Sequence, residues 1–467
     1  MPKQSARKTA YQILLPVLKD GMLLNAAFRK QENRFESLSM QDRRFIRRLS
    51  KGVLEKKTAL DAVLSRLLSK PLSSQNPKLL TVLEMGIYEL YFMRTEAYAA
   101  VNEYTALSRQ IGLQGLKGLV NSVLRNAAEK HESLLSKLSR SDLAGITGWL
   151  FQKLKAWYPD KYMTVVENLI TPDRPLTVRR MISRVSEEAF LKSLEEDGVT
   201  AEKRNDAKNT WILSGFSDLT ELKAFREGWF YVQDASSVLA GDMVEDLIRN
   251  TPEDRKTAVL DVCAAPGGKT FRLADEALNS AKFRAVKEAA ANRRAVDLVN
   301  CTEQQLKMLV SGNYRFVSCD VSEEKVRLIE ENAERLKLPF IEARVRDASV
   351  YCPEFDDAFD LVIADVPCSG IGIIGEKPDI QLHLSDESLA SLVRLQEKIL
   401  DQTACYVKKG GTLAYSTCTL NPDENTEQVR RFIDRHPDFE LVFERTCLPG
   451  FDDMRGFYMA RLCKALS

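Results

Sequence analysis

The sequence predicts a multidomain protein: an N-terminal all-α bundle, a small α+β middle module, and a C-terminal α/β domain built on a parallel, doubly wound sheet. Three observations lead there. At 467 residues the chain exceeds what one hydrophobic core fills. From about Ala6 to Ala128 apolar residues recur at three and four positions, the period of helices. From Ala258 onward short apolar runs alternate with helical stretches, the pattern of parallel strands joined by helices. The expected boundaries are 1–140, 141–240 and 241–467.

In the first segment Pro71 and Pro77 mark a break between helices. The longest apolar stretch, Leu79 to Met93, is 15 residues long and carries Glu84 and Glu89, so it reads as a buried helix and not a membrane span. Arg43, Arg44, Arg47, Arg48 and Lys51 place five cations on one side of a helix. Residues 1–140 hold 24 Lys and Arg against 12 Asp and Glu, an excess hidden by a whole-chain net charge of +1. A basic segment of this kind expects a polyanion, and phosphate contacts are the sequence-independent part of nucleic-acid binding. The opening residues, Met1 to Lys8, show no apolar signal core, which predicts a cytoplasmic protein.

Residues 141–240 change to shorter elements punctuated by Pro159-Asp160 and by Thr171 to Pro175. Leu176 to Ser183 reads as a strand, Glu187 to Glu196 as a helix and Trp211 to Leu213 as another strand. Gly228 to Asp234 leads into a helix beginning near Ala235. In the last segment the strands are Ala258 to Val262, Arg315 to Cys319, Glu342 to Arg346, Leu361 to Ala364 and Thr412 to Tyr415.

Nine cysteines lie between Cys263 and Cys463, with no Cys-x-x-Cys pair, so neither a disulfide framework nor a zinc site is expected. The three histidines, His131, His383 and His436, are not spaced for a metal cluster or a triad. Two cysteines stand out because each follows an apolar strand. They are Cys368, in Asp365-Val366-Pro367-Cys368, and Cys418, in Ser416-Thr417-Cys418-Thr419. An open α/β sheet keeps its chemistry at such strand ends.

Asp261 to Thr270 reads as a strand end, a turn of small residues and a helix start. The small residues Ala264, Ala265, Gly267 and Gly268 allow a ligand close to the backbone where helix amides point outward. The spacing fits neither a P-loop nor Gly-x-Gly-x-x-Gly. Asp320 ends the next strand, where a carboxylate accepts from ribose hydroxyls, and Asp347 ends another, where it sits against an adenine edge.

Together, Asp-x-Cys-Ala-Ala-Pro-Gly-Gly-Lys-Thr, Asp-Val-Pro-Cys-Ser-Gly and Ser-Thr-Cys-Thr followed by Asn421-Pro422-Asp423-Glu424-Asn425 resemble the Sun/Fmu family of RNA (cytosine-5) methyltransferases. The basic helical segment resembles the NusB-like RNA-binding domain that precedes such catalytic domains. The resemblance implies a Rossmann-like domain using S-adenosylmethionine, with cofactor contacts at Cys263, Ala264, Ala265, Pro266, Gly267, Gly268, Lys269, Asp320, Asp347 and Asp365. It implies that the partner is 16S ribosomal RNA; the charge reading assigns its contacts to Arg43, Arg44, Arg47, Arg48 and Lys51, and a monomer needing neither metal nor membrane is expected.

Carbon 5 of cytosine is too weak a nucleophile to take a methyl group directly. A thiolate adding to carbon 6 makes it one. Residue logic leaves the choice of thiol open; the resemblance assigns Cys418 as nucleophile, Cys368 to product release and Asp365 to charge stabilisation at ring nitrogen 3, a role for which it must donate a proton. The base must also be unstacked to be reached. Lys377 and Pro378-Asp379 are expected to line the substrate channel.

The chain departs from the usual pattern in two places, one being the substrate loop, where Ile371 and Gly375-Glu376 stand where the family commonly has Thr and basic residues. Gly268 and Asp320 stand further apart than the customary spacing of about 20 residues, implying an insertion at about 281–313 with a helix around Lys282 to Ala291 and a strand-like Ala295 to Val299 ending at Asn300. Asn300 is thus a rival to Asp320. Two other functions compete: an RNA-binding assembly factor that methylates nothing, and a transfer RNA methyltransferase of the same chemistry.

Overall fold

Ala6–Asp20 form the first helix, α1, which Gly21 ends in a left-handed conformation. The structure is a computed structural model that describes residues 5–466 apart from 33, 34, 36, 171–174, 293–297, 299 and 300. The chain divides into one unit of residues 1–172 with 373–385 and another of 173–372 with 386–467.

The first unit is helical. In α2 (Met40–Glu55) the Ser39 hydroxyl accepts the Asp42 N–H at 3.1 Å, and in α3 (Pro77–Phe92) Asn76 caps the start with Pro77 at the first helical position. Ile13, Leu14, Ile46, Leu49, Val53, Val82, Leu83 and Ile87 share one core. The two carboxylates of the apolar stretch are buried with partners: Glu84 lies 3.3 Å from Lys57, and Glu89 binds Arg7 and accepts the Tyr104 hydroxyl at 2.8 Å. This is how a helix buried along most of its length carries charge.

Residues 373–385 correct one expectation. Asp379 does not line a channel. It is buried, and its carboxylate accepts the Leu24 N–H at 3.0 Å, at the start of helix Leu24–Arg29.

The second unit carries two sheets. Strands β1 (Leu176–Arg180), β2 (Thr200–Lys203), β3 (Thr210–Ser214) and β4 (Phe230–Val232) form an antiparallel sheet in the order β2-β3-β1-β4. Helix Glu187–Glu196 packs Phe190 against Trp211 and Phe230. β1 stops at Arg180 instead of reaching Ser183, because the Ile182 and Ser183 amides turn onto the buried Asp275 carboxylate, each at 2.9 Å. Asp275 also pairs with Arg179 at 3.1 Å, both fully buried.

The larger sheet contains β5 (Thr257–Asp261), β6 (Tyr314–Asp320), β7 (Ile341–Val345), β8 (Phe359–Asp365), β9 (Val407–Thr417), β10 (Phe439–Cys447) and β11 (Phe457–Lys464), in the order β10-β11-β9-β8-β5-β6-β7. The five strands from β9 to β7 are parallel, as expected. The sheet as a whole is mixed, because β11 runs antiparallel to both β9 and β10. A short connection between β10 and β11 permits only that direction.

Helix α4 (Gly268–Ala291) follows β5 and runs unbroken for 24 residues, so the helix expected over Lys282 to Ala291 is its continuation and not a separate element. The strand-like Ala295 to Val299 and Asn300 fall, except for Leu298, outside the described residues. Helix α5 (Glu323–Arg335) is capped by Ser322, and α6 (Asp386–Tyr406) precedes β9. Because β6 lies on one side of β5 and β8 on the other, the chain reverses direction across the sheet at β5. Ligands of open α/β sheets sit at such a point, beyond the carboxyl ends of the strands.

Candidate active site

Past the end of β5, the turn of small residues is closed by two backbone hydrogen bonds. The Ala264 amide donates to the Cys319 carbonyl at 2.8 Å and the Gly267 amide to the Ala264 carbonyl at 2.7 Å. Gly267 has φ 111°, and a Cβ there would fall 2.1 Å from the Phe271 ring, so only glycine fits. The turn and the start of α4 line a cavity of about 170 Å³ with Tyr231, Gln233, Asp234, Ser237, Asp261 and Asp365.

Ala264, Ala265, Pro266, Gly268, Lys269 and Asp365 of the expected cofactor set line this cavity. Asp320 stands behind it at the end of β6, where it accepts the Ala265 amide at 3.0 Å and the Val321 amide at 2.7 Å and pairs with Lys325 at 3.0 Å. It thereby braces the turn. Asp347, beyond β7 at the far edge of the sheet, is not a lining residue. Its carboxylate accepts the Ser349 hydroxyl and amide, which hold it below the ordinary carboxylate range. Cys263 sits in the turn with its thiol pushed well up, by burial first and then by nearby carboxylates.

Residue reading passed over two groups here. Asp261 is buried, and burial pushes its carboxyl up to about 7 despite the hydroxyl donated by Thr270 at 2.9 Å. Its Oδ1 and the Oε1 of Gln233 are buried with no hydrogen-bond partner. Two acceptor oxygens left unpaired in one cavity fit a ligand that brings donors. The only sequence signal was a carboxylate closing an apolar strand.

From the floor of this cavity Lys269 reaches the second cluster. Its ammonium is 2.5 Å from Asp365 Oδ2, and Asp365 Oδ1 accepts the Ser416 hydroxyl at 2.7 Å. β8 and β9 pair Asp365 with Ser416 in register, so the two loops that follow carry Cys368 and Cys418 together. Their sulfurs are 3.0 Å apart, and the Cys418 amide donates to the Cys368 sulfur at 3.2 Å. The Cys368 thiol is held well above the ordinary thiol range, by its hydrogen bond with Cys418 first and then by burial. Gly372 donates its amide to the Cys418 carbonyl at 3.0 Å, in a passage so narrow that a Cβ would meet the Gly456 carbonyl at 1.9 Å.

Two stretches match models of known families. Residues 248–463 match the 16S rRNA methyltransferase RsmB/F family, and residues 4–129 match the NusB family. Ribosomal RNA small subunit methyltransferase B of Serratia proteamaculans is 30% identical over 92% of this chain and 92% of that protein. The chain belongs to the RsmB/F family of 16S rRNA methyltransferases. The same-named protein of Vibrio vulnificus is 29% identical over 98% of this chain and 99% of its own length. The crystal structure of PH0851 resembles the fold with a TM-score of 0.74 at 20% identity, covering 98% of this chain and 99% of that one. A methyltransferase homolog protein from Pyrococcus horikoshii gives a TM-score of 0.54 at 22% identity, over 70% of this chain and all of that one.

In this RsmB/F chain the five expected RNA-contacting cations all lie on α2, but with different surroundings. Arg47 packs 5.2 Å from the Phe35 ring, Arg43 donates to the Leu38 carbonyl at 3.1 Å, Arg48 to the Phe92 carbonyl at 3.3 Å, and Lys51 pairs with Glu55 at 3.2 Å. Among the described residues no group of three or more His, Cys, Asp or Glu is placed to hold a metal ion. Among them, too, no helix is long and apolar enough to cross a membrane.

Proposed function

We propose that the protein methylates carbon 5 of a cytosine in 16S ribosomal RNA, using S-adenosylmethionine and a covalent adduct at Cys418. The observation that carries this reading is the cluster at the ends of β8 and β9, where two thiols 3.0 Å apart follow Asp365, itself tied to the cofactor turn through Lys269. The lining of the cavity suits the methionine end of the cofactor. Asp261 Oδ1 and Gln233 Oε1 offer unpaired acceptors to an ammonium group, and the glycine turn admits the chain of the ligand closely. Bound there, the cofactor supplies a methyl group activated by a positively charged sulfur.

The remaining work belongs to side chains. Cys418, as thiolate, adds to carbon 6 of an unstacked cytosine and makes carbon 5 electron-rich. Asp365 and Lys269 stand where charge on the ring-nitrogen side is stabilised. Because the Lys269 ammonium touches Asp365, the proton needed at nitrogen 3 has a source besides the carboxyl itself. After methyl transfer the carbon 5 proton must leave as the carbon 6–sulfur bond breaks, and Cys368 lies within one hydrogen bond of the departing Cys418 sulfur, which suits it to release.

The test is an RNA carrying 5-fluorocytosine, whose fluorine cannot depart as a proton does. Wild type and Cys368→Ala should accumulate a covalent protein–RNA complex on a denaturing gel, and Cys418→Ala should not. A complex that survives Cys418→Ala and disappears in Cys368→Ala would reverse the two roles. No complex with any 16S fragment would end the covalent reading.

A further inference from the structure

We infer that Glu424 is a positioning residue for the thiol pair: together with its neighbour Asn425 it holds both cysteine loops at one separation, and it places a buried carboxylate on the Cys368 side. This rests on the proposed function, since it concerns the same two sulfurs.

The geometry is reciprocal. Each residue flanking Cys368 is tied to Glu424. The Ser369 amide donates to its Oε2 at 2.9 Å, and Gln396 Nε2 bridges that same oxygen, at 2.8 Å, to the Pro367 carbonyl, at 2.9 Å. Each residue flanking Cys418 is tied to Asn425. Thr417 Oγ1 donates to its Oδ1 at 2.6 Å, and its Nδ2 donates to the Thr419 carbonyl at 3.1 Å. The loops are then joined directly, through Ser369 Oγ and Thr419 Oγ1 at 2.6 Å. Asn421 Nδ2 donates to Glu424 Oε1 at 3.1 Å, and the Tyr415 hydroxyl donates to the Glu424 carbonyl at 2.6 Å. Glu424, Asn425, Gln396, Thr417 and Thr419 are all at most 1% exposed. Two adjacent residues of one turn thus grip four residues, and those four are the neighbours of the two thiols.

A hydrogen-bond hub alone explains the donors but not the charge. Among the described residues no Lys or Arg forms an ion pair with Glu424, so the carboxylate is matched by N–H groups only. Its charge adds to the hydrogen bond and the burial that hold Cys368 as a thiol. Kept protonated, the Cys368 thiol is the one to donate across the 3.0 Å S–S contact, even though its sulfur also accepts the Cys418 amide, and the sulfur that receives a thiol hydrogen is the better placed to act as thiolate. The charge thereby makes the pair unequal.

The decisive measurement is alkylation of the full-length protein by iodoacetamide across pH 6 to 10, with Cys368 and Cys418 resolved by peptide mass. It needs no RNA, so it fails or succeeds separately from the fluorocytosine trap. Wild type should modify Cys418 ahead of Cys368. In Glu424→Gln, which keeps an acceptor oxygen and the side-chain volume, the pH at which Cys368 reacts should fall by about one unit, roughly a tenfold gain in rate at a given pH below it. The lead of Cys418 should shrink with it. A wild-type pH profile in a folded Glu424→Gln protein would overturn the inference.

Gln396→Met tests the positioning half and serves where Glu424→Gln folds poorly. It cuts the Pro367 brace and takes one N–H from the carboxylate. It should lower kcat on 16S RNA about tenfold with KM for the RNA unchanged. Wild-type turnover in that variant would overturn the positioning half of the inference.

Discussion

Asp261 carries an energetic conflict that is visible in a single side chain. Buried beside the glycine turn, its carboxyl is pushed up to about 7, so the folded protein holds that proton more tightly than the unfolded chain does. The sign follows from linkage: its stabilising contribution is complete below the ordinary carboxylate range and is lost as pH rises through about 7. Asp261→Asn should therefore raise the melting temperature of ligand-free protein at pH 8 and leave it nearly unchanged at pH 4. The difference is worth on the order of 4 kcal/mol. The same variant should weaken S-adenosylmethionine binding by at least about tenfold, if Oδ1 receives the ligand's ammonium. Calorimetric titration and thermal scans at both pH values check the pair, and equal melting curves at pH 8 would dismiss the conflict. Asp320 offers the opposite lesson. Expected as a ribose acceptor, it already takes the Ala265 amide of the turn and the Val321 amide next to it and pairs with Lys325, so it also shapes the turn.

At the scale of an element, local chemistry was the most legible. The strand–turn–helix from Thr257 to Ala291, the capped α5, the strand ending in Asp365 and the strand ending just before Cys418 all follow from apolar runs bounded by small or polar residues. Gly267→Ala tests the turn. With φ 111° and the Phe271 ring in the way, the variant should lose about 2 kcal/mol or more and bind cofactor poorly, by urea unfolding and titration respectively. In the helical unit, Arg7→Ala would leave Glu89 buried without its cation. The expected loss is about 3 kcal/mol, larger than that of Arg7→Ala with Glu89→Gln made together. What local chemistry hid were elements whose direction depends on a distant partner. β10 and β11 complete the sheet antiparallel, and β1 ends early because its next amides find Asp275, more than 90 residues away.

For the whole molecule, the charge division in the chain has a measurable consequence. A basic helical unit that contacts phosphates should make RNA binding fall steeply with salt, and each phosphate contact removed should reduce the slope of log affinity against log salt by about one. Arg44→Gln and Arg47→Gln, at exposed positions of α2, should each flatten that slope without changing cofactor affinity. An unchanged slope in both would take α2 out of the RNA contact. The sequence by itself determined the helical and α/β segments, the glycine turn and the two strand-end thiols, because each is written in neighbouring residues through periodicity, turn chemistry and strand length. Only the tertiary structure decided what those pieces meet. It set the two sulfurs 3.0 Å apart across 50 positions of chain, left Asp261 and Gln233 with oxygens unpaired in one cavity, and gathered the neighbours of both thiols onto Glu424 and Asn425. Hydrogen bonds between residues far apart in the chain depend on strand order and register, and those arise only when the whole sheet closes its core.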